Sequence, residues 1–161
     1  MAGTLGAGAA RAMTRLAAVL LLLSCYATGA GAADTMSYAD PQPSAEAPRR
    51  IVLSLTENDP ARINAVLNNV AHVQQFYGAG RVRIELVAYG PGVAVLLKSD
   101  TTFAERLEKL QQVGLLPVAC HHSLDAQGKT PDDLLPGVTV VPSGVPEIVE
   151  RQLMGWIYVR P

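Results

Sequence analysis

The chain has 161 residues, the usual size of one domain, which excludes a large multidomain enzyme. Hydrophobic residues make up 49% of the sequence and charged residues 17%, a composition that excludes an intrinsically disordered protein. Two cysteines are too few for a disulfide-stabilised scaffold, and 13 basic against 14 acidic residues exclude the strong positive charge typical of nucleic-acid-binding proteins.

Residues 1–33 have the three parts of a secretory signal peptide. Two arginines precede an apolar run over 16–23, and small residues follow it. The apolar run is less than half of the about 20 residues that a membrane-spanning helix needs. We therefore predict cleavage after Ala32 or Ala33 and export, most simply to the periplasm.

The sequence around Cys25 allows a second mode of export. Leu22-Leu23-Ser24-Cys25 is close to a bacterial lipobox, in which the cysteine becomes the lipid-bearing first residue of a membrane-anchored lipoprotein. Removal of residues 1–33 instead leaves 11 basic and 14 acidic side chains, a net charge of −3. Such a domain has no broad attraction for nucleic acid or anionic lipid, so we expect membrane contact only through lipidation.

The first half of the remaining chain alternates between strand and helix patterns. Residues 34–50 are rich in Ala, Pro and Ser and predict a disordered leader or tether. The apolar run over 51–55 predicts a buried strand, and Asp59-Pro60 predicts a helix start with a cap residue followed by proline. Apolar residues at helical spacing follow, and then a strand over 82–89.

The second half repeats this alternation. Thr102 and Glu105 have capping-box spacing and predict the start of a second helix, and residues 115–119 predict a buried strand that ends at Cys120. Three further elements are predicted: a strand over 138–141, a helix with Val145, Ile148, Val149 and Leu153 on its apolar face, and a strand over 156–159. Together these patterns predict an α/β fold, a three-layer α/β/α sandwich with a mainly parallel sheet, over residues 51–161.

Cys120 is the leading candidate for chemistry, because it lies where a buried strand is predicted to end. Reactive groups of open parallel sheets gather at the carboxyl ends of the strands. His121 and His122 follow, and both adjacent imidazoles and a helix N-terminus favour thiolate over thiol. The alternative is an inert structural cysteine, since free cysteine is among the most buried residue types.

Polar loops after the first two strands are expected at the same edge of the sheet, beside the segment that follows Cys120. The candidate cleft-lining residues are Glu57, Asn58, Gly90, Pro91, Gly92 and Ser123. A plain turn is the simpler explanation of Gly90-Pro91-Gly92, because no GxGxxG or P-loop pattern is present. The Cys-His-His triplet predicts no metal site or cofactor within one chain, because structural zinc takes four ligands at wider spacing. A metal shared between subunits is left open.

Six ordered segments give the sequence a resemblance to the DsrE/DsrF-like family, and the resemblance covers nearly all of 51–161. The segments are Leu67–Val70, Ile84–Gly92, Ala119–Cys120, Asp133–Val138, Val141–Val145 and Gly155–Pro161. The resemblance implies a small α/β sandwich that assembles into homo-oligomers, typically trimers or hexamers.

The resemblance also implies a chemistry. Relatives in sulfur metabolism carry sulfur as a persulfide on a cysteine and pass it between donor and acceptor proteins, and Cys120 stands at that position. His121 and His122 are then candidate proton or charge partners. Relatives usually follow the cysteine with Gly-Asn-Thr, whereas this chain has His-His-Ser. The rival hypothesis is a noncatalytic oligomeric binding or assembly module with an inert, buried Cys120.

Overall fold

A computed structural model describes residues 36–100 and 102–161. The predicted signal peptide, its cleavage site and Cys25 lie outside these residues. The elements, in chain order, are β1 (Arg49–Leu55), α1 (Pro60–Tyr77), β2 (Val82–Ala88), α2 (Ala104–Gln111), β3 (Leu115–Cys120), α3 (His121–Ala126), β4 (Thr139–Val141), α4 (Gly144–Leu153) and β5 (Ile157–Val159). Short 3-10 helices occupy Gly90–Leu96 and Pro131–Asp133.

The five strands form one sheet in the order β4-β3-β2-β1-β5, and every neighbouring pair is parallel. Ile84 of β2 is opposite Ile51 of β1 on one side and Leu115 of β3 on the other. The carboxyl ends of all the strands therefore meet at one edge of the sheet, where parallel sheets place their sites.

Helices cover both faces of the sheet. One face packs against α1 and α2 around a large core that includes Ile63, Leu67 and Leu107. The other face carries α4 and a small core of Val52, Val87, Val118 and Ile148. This arrangement confirms the predicted three-layer sandwich with a parallel sheet.

The first helix begins as its sequence predicts. Asp59 is the N-cap, and its Oδ1 accepts a 2.9 Å hydrogen bond from the backbone N–H of Arg62. Pro60 fills the first helical position, where a missing N–H costs nothing. The helix ends at Gly78, whose φ of 82° lies in the left-handed region that glycine tolerates.

The predicted capping box at Thr102 is wrong. The N-cap of α2 is Phe103, and no side chain caps it. The backbone N–H of Thr102 instead donates 3.1 Å to Asp100 Oδ1, which forms a local turn, and Glu105 pairs with Lys109 one turn later in the helix. Asp100 thus competes with the Glu105 side chain for the backbone N–H of Thr102.

The folded unit begins before residue 51. Backbone pairing of β1 starts at Arg49, which lies opposite Val82, and Arg49 Nη2 donates to the carbonyl of Ala39. Residues 39–161 form one compact unit, so much of the predicted leader belongs to it. Charged side chains hide this boundary in the sequence, because strand pairing uses the backbone alone. In the described part of the chain, no helix is long and apolar enough to cross a membrane.

Candidate functional site

Cys120 ends β3 and directly precedes α3, as the sequence predicts. Alternate residues of β3 face opposite sides of the sheet, and Cys120 falls on the same side as Val118, toward α4. Its side chain is 4% exposed. The sulfur therefore lies near the surface of the sheet edge but is almost covered.

Four polar groups oppose the effect of burial on the pKa of the Cys120 thiol. They are the hydroxyl of Ser123 and the backbone N–H groups of Ser123, Gly144 and His122. Cys120 is the N-cap of α3, and its side chain makes no capping hydrogen bond to that helix. Burial raises the pKa of the Cys120 thiol, but the donors outweigh burial and the pKa is lowered overall from its ordinary value. The site therefore favours a thiolate.

Two helix N-termini supply the backbone donors. His122 and Ser123 belong to the first turn of α3, and Gly144 is the first residue of α4. Unpaired N–H groups at a helix start carry a partial positive charge and suit an anion. The thiolate is thus stabilised by dipoles of two separate elements.

Ser123 connects Cys120 to the loop after β2. Its Oγ accepts a 2.8 Å hydrogen bond from the backbone N–H of Gly90, and Gln127 Nε2 donates 2.9 Å to the Gly90 carbonyl. Because the Ser123 oxygen accepts from Gly90, the hydroxyl hydrogen is free to be directed toward the Cys120 sulfur. The loop at Gly90 therefore lies at the same edge as Cys120, as predicted.

Two glycines are required by close approach. A Cβ on Gly92 would lie 2.3 Å from the backbone oxygen of Leu55, so any side chain there would clash with β1. A Cβ on Gly144 would lie 3.0 Å from the side chain of Tyr89. The start of α4 therefore packs tightly on the residue that follows β2.

The two histidines lie at the surface beside the thiol. His121 Nδ1 is 3.0 Å from Asp125 Oδ2 one turn later in α3, and its side chain is half exposed. His122 is exposed and lines two cavities, one on each side of it. Both imidazoles are open to solvent.

A cavity of about 480 Å³ opens beside Ser123 at the carboxyl edge of the sheet. Its lining residues are Asn58, Gly90, Pro91, Ala94, His122, Ser123, Ala126 and Gln127. Four of the six predicted cleft-lining residues are in this set. Glu57 is not, because it turns away to pair with Arg62 at 2.8 Å, and Gly92 is not, because it is buried against β1.

A second cavity of about 260 Å³ lies on the other side of His122, lined by His121, Val140, Val141 and Pro142 as well. Cys120 is a lining residue of neither cavity. Within residues 36–100 and 102–161, no three His, Cys, Asp or Glu side chains gather as a metal site.

Glu85 and Arg151 were not among the residues that the sequence singled out. Charged residues alternate with apolar ones over 81–86, but Glu85 is 1% exposed and pairs with Arg151 of α4 at 2.7 Å. The sequence holds one sign of the pair. Arg151 lies seven residues after Gly144, a spacing that puts both on one side of the last helix, where a basic residue could face the sheet.

Comparisons with known proteins support one family. Residues 32–161 match the model of the DsrE/DsrF-like family. The solved structure of MTH1491, a protein of unknown function from Methanobacterium thermoautotrophicum, is 41% identical to this chain with a TM-score of 0.66, and the match covers 70% of this chain and 99% of MTH1491.

Two other solved structures share the fold at lower identity. BT1422 from Bacteroides thetaiotaomicron, a conserved protein of unknown function, is 18% identical with a TM-score of 0.55, over 69% of this chain and 93% of its own. The ychN protein from E. coli is 16% identical with a TM-score of 0.58, over 70% of this chain and 99% of its own. No curated protein matches the sequence.

Proposed function

Because the chain belongs to the DsrE/DsrF-like family, which is associated with sulfur relay, we propose that it handles sulfur and that Cys120 carries sulfane sulfur as a persulfide. One observation carries this proposal. Four uncharged donors from two helix starts and one hydroxyl converge on Cys120 and lower the pKa of its thiol despite burial. A thiolate is the nucleophile in sulfur transfer, and the same donors stabilise the persulfide anion that follows.

The transfer step balances without an external oxidant. The Cys120 thiolate attacks the outer sulfur of a donor persulfide, R–S–SH, forming a new S–S bond while the S–S bond of the donor breaks. The donor leaves as the thiolate R–S⁻, and Cys120 becomes Cys120–S–SH, so no net electrons are gained or lost. His121 or His122 supplies the proton that the leaving thiolate takes up. An acceptor thiol reverses the same exchange.

Intact mass spectrometry tests the proposal. The purified, reduced protein is incubated with inorganic polysulfide beside Cys120→Ala and Cys120→Ser variants. We expect wild type to gain one or more sulfur masses that a reductant removes, and both variants to gain none. Equal sulfur uptake by the variants, or none by folded wild type, would refute the carrier role. The same spectrum from exported protein reveals the cleavage site and any lipid on Cys25.

A second candidate function is a noncatalytic binding module. The observation in its favour is that Cys120 is 4% exposed and lines no part of the open cavity of about 480 Å³ beside Ser123. In this alternative the thiol is inert and the cavity holds a small ligand. Alkylation separates the two: a rapid reaction of native Cys120 near neutral pH supports the carrier, and a slow, burial-limited one supports the module.

Assembly is part of the proposal, because the apolar face of α4 is only partly covered. Ile148 is buried, but Val145, Val149 and Leu153 are 54%, 46% and 77% exposed, and Ile157 of the adjacent edge strand is 58% exposed. Apolar surface of this kind is typical of an interface. We infer that a second copy of the chain covers it within a homo-oligomer, a trimer or hexamer by resemblance.

Light scattering on size-exclusion fractions tests the assembly. We expect wild type to have the mass of an oligomer and the double substitution Val149→Glu with Leu153→Glu to have the mass of a monomer. Gln152→Glu adds a charge between these positions on the same helix and is expected to leave the oligomer intact. A monomeric wild type, or an oligomeric double variant, would refute this interface. Export of the protein, to the periplasm or as a lipoprotein, is likewise a proposal that rests on residues 1–33.

A further inference from the structure

Arg151, in the last turn of α4, joins three parts of the fold. Its Nε lies 2.7 Å from Glu85 Oε2 on β2 and 2.8 Å from Glu147 Oε1 one turn earlier in the helix. Its guanidinium also lies over the ring of Trp156, 5.2 Å from the centroid. One side chain thus links the sheet, the helix and the segment that enters β5.

In the described part of the chain, Arg151 is the cation that pairs with Glu85. The Glu85 side chain is 1% exposed, and its Oε1 has no hydrogen-bond partner in the described part of the chain. The Nε of Arg151 is not aligned as a hydrogen-bond donor, so the attraction between the two groups is ionic. Moving Arg151 away would leave a buried carboxylate without a counter-charge, and this penalty fixes the position of Arg151.

The ion pair matters because the apolar attachment of α4 is small. Among the residues that the structure describes, the core on this face has four buried members, of which Ile148 alone belongs to the helix. The remaining large apolar side chains of α4 point outward. The pair with Glu85 is therefore the principal polar tie between α4 and the sheet.

The opposite end of the same helix lies beside Cys120, because Cys120 pairs with Val141 of β4 and Gly144 begins α4 three residues later. Gly144, Ile148 and Arg151 follow one another at helical spacing, so they share the sheet-facing side of α4. Seven residues of helix span about 10 Å, a short and rigid distance. The start of α4 also lies against Tyr89 with no spare room. A slide or rotation of the helix at Arg151 is therefore transmitted to the N–H of Gly144.

We propose that Glu85 and Arg151 are positioning residues for Cys120, and that their ion pair holds α4 so that its first residue, Gly144, stays beside Cys120 at the carboxyl edge of the sheet. Both charges act at a distance, through the helix, and neither is a donor to the sulfur. This inference rests on the proposed function, because it assigns the setting of the reactive thiol to residues outside the site. We name this Glu85–Arg151 contact the helix latch.

The pH profile of Cys120 alkylation by iodoacetamide tests the helix latch. For Arg151→Met we expect the apparent pKa of Cys120 to rise by about half a unit to one unit, which slows alkylation below that pKa about three- to tenfold. Glu85→Gln is expected to give a smaller rise, and Arg151→Lys, which keeps the charge, an intermediate one. Glu150→Gln and Arg160→Met each remove the charge of an exposed side chain and are expected to leave the profile unchanged.

A double substitution separates positioning from charge. Glu85→Leu combined with Arg151→Met replaces the ion pair by an apolar contact, which holds packed elements together as well as a buried pair does. We expect this variant to recover the wild-type profile. Folded Arg151→Met and Glu85→Gln proteins with the wild-type profile would overturn the inference. If Arg151→Met does not fold, Arg151→Lys takes its place, and a wild-type alkylation profile in that variant would overturn the inference.

The alkylation readout is independent of sulfur transfer. A wild-type protein that takes up no sulfur, together with a shifted profile in Arg151→Met, would remove the carrier function and leave the helix latch in place. Sulfur uptake by Cys120 with no shift of the alkylation profile in the variants would remove the helix latch and leave the carrier function in place. The two proposals therefore fail separately.

Discussion

The backbone N–H of Gly90 donates a 2.8 Å hydrogen bond to Ser123 Oγ, and the Ser123 hydroxyl in turn opposes the effect of burial on the pKa of the Cys120 thiol. A loop that follows β2 thus orients a hydroxyl on α3, which acts on the last residue of β3. The arrangement explains how Ser123, three positions after the cysteine, can affect the pKa of the Cys120 thiol. It also shows that a neutral network, rather than a neighbouring cation, lowers the pKa of the thiol.

Ser123→Ala is expected to raise the pKa of Cys120. It removes the hydroxyl and leaves only the three backbone N–H groups to oppose the rise in pKa that burial causes. We expect alkylation near neutral pH to slow several-fold, by a factor of about three to ten. Ser123→Thr keeps the hydroxyl and is the matched control, with a rate near wild type. A Ser123→Ala protein that reacts as fast as Ser123→Thr would show that the hydroxyl does not act on the sulfur.

Replacing Cys120 by serine is expected to change how stability depends on pH. The folded pKa of the thiol lies below its ordinary value of 9.0, so between the two values the unfolded chain binds more protons than the native one. Stability from this group therefore rises with pH through that window and is lost as pH falls through the folded pKa, by about 1.4 kcal/mol for each pH unit that separates the folded and unfolded pKa values. Urea unfolding of wild type and Cys120→Ser at a series of pH values measures this pH dependence of the free energy of unfolding. A constant difference between the two proteins would contradict the lowered pKa.

Glu85 is expected to give the opposite slope at acid pH. Burial raises its pKa, with Arg151 opposing the rise, so the native protein keeps a proton that the unfolded chain has lost above the ordinary value of 4.5. Stability from this group is therefore greatest below 4.5 and falls as pH rises toward the folded pKa. Thermal unfolding of Glu85→Gln, which cannot titrate, is expected to lack this slope. Parallel curves for the two proteins would show that the pKa is not raised.

Gly92→Ala is expected to destabilise the domain, because its new Cβ would lie 2.3 Å from the backbone oxygen of Leu55. Backbone cannot swing aside as a side chain can, so we expect a loss of about 3 kcal/mol in the free energy of unfolding. Gly80→Ala is the control: its φ of +77° is unfavourable for alanine but its surroundings are open, and about 1 kcal/mol is expected. Equal midpoints in urea for the two variants would contradict the close approach.

Much of the fold follows from local signals. Apolar periodicity and cap residues such as Asp59 act within a few residues of chain, so the order of strands and helices could be predicted and the parallel sheet inferred from it. The same logic located Cys120 at the end of a strand, with Gly90 and Ser123 at the same edge. These are consequences of topology, and they need no knowledge of which helix packs where.

What the sequence did not indicate depends on contacts between distant residues. Glu85 has the charge and spacing of an exposed strand residue, and only Arg151 of α4, 66 positions later, makes its burial tolerable. Gly144 resembles an ordinary loop glycine until its approach to Tyr89 and to the sulfur is known. At Thr102 the local pattern misled, because Asp100 competes for the backbone N–H. The exposure of Cys120 likewise follows from packing alone.

Gly144 follows Cys120 in the chain, and this order has a consequence for biosynthesis. A chain is made from its amino end, so Cys120, His122 and Ser123 leave the ribosome before the helix that completes their site. Until α4 docks, the sulfur lacks one of its four donors and the cover of the small core. We therefore expect a chain that lacks α4 to carry a thiol with a more ordinary pKa, and the lowered pKa of Cys120 to be acquired only after α4 has folded.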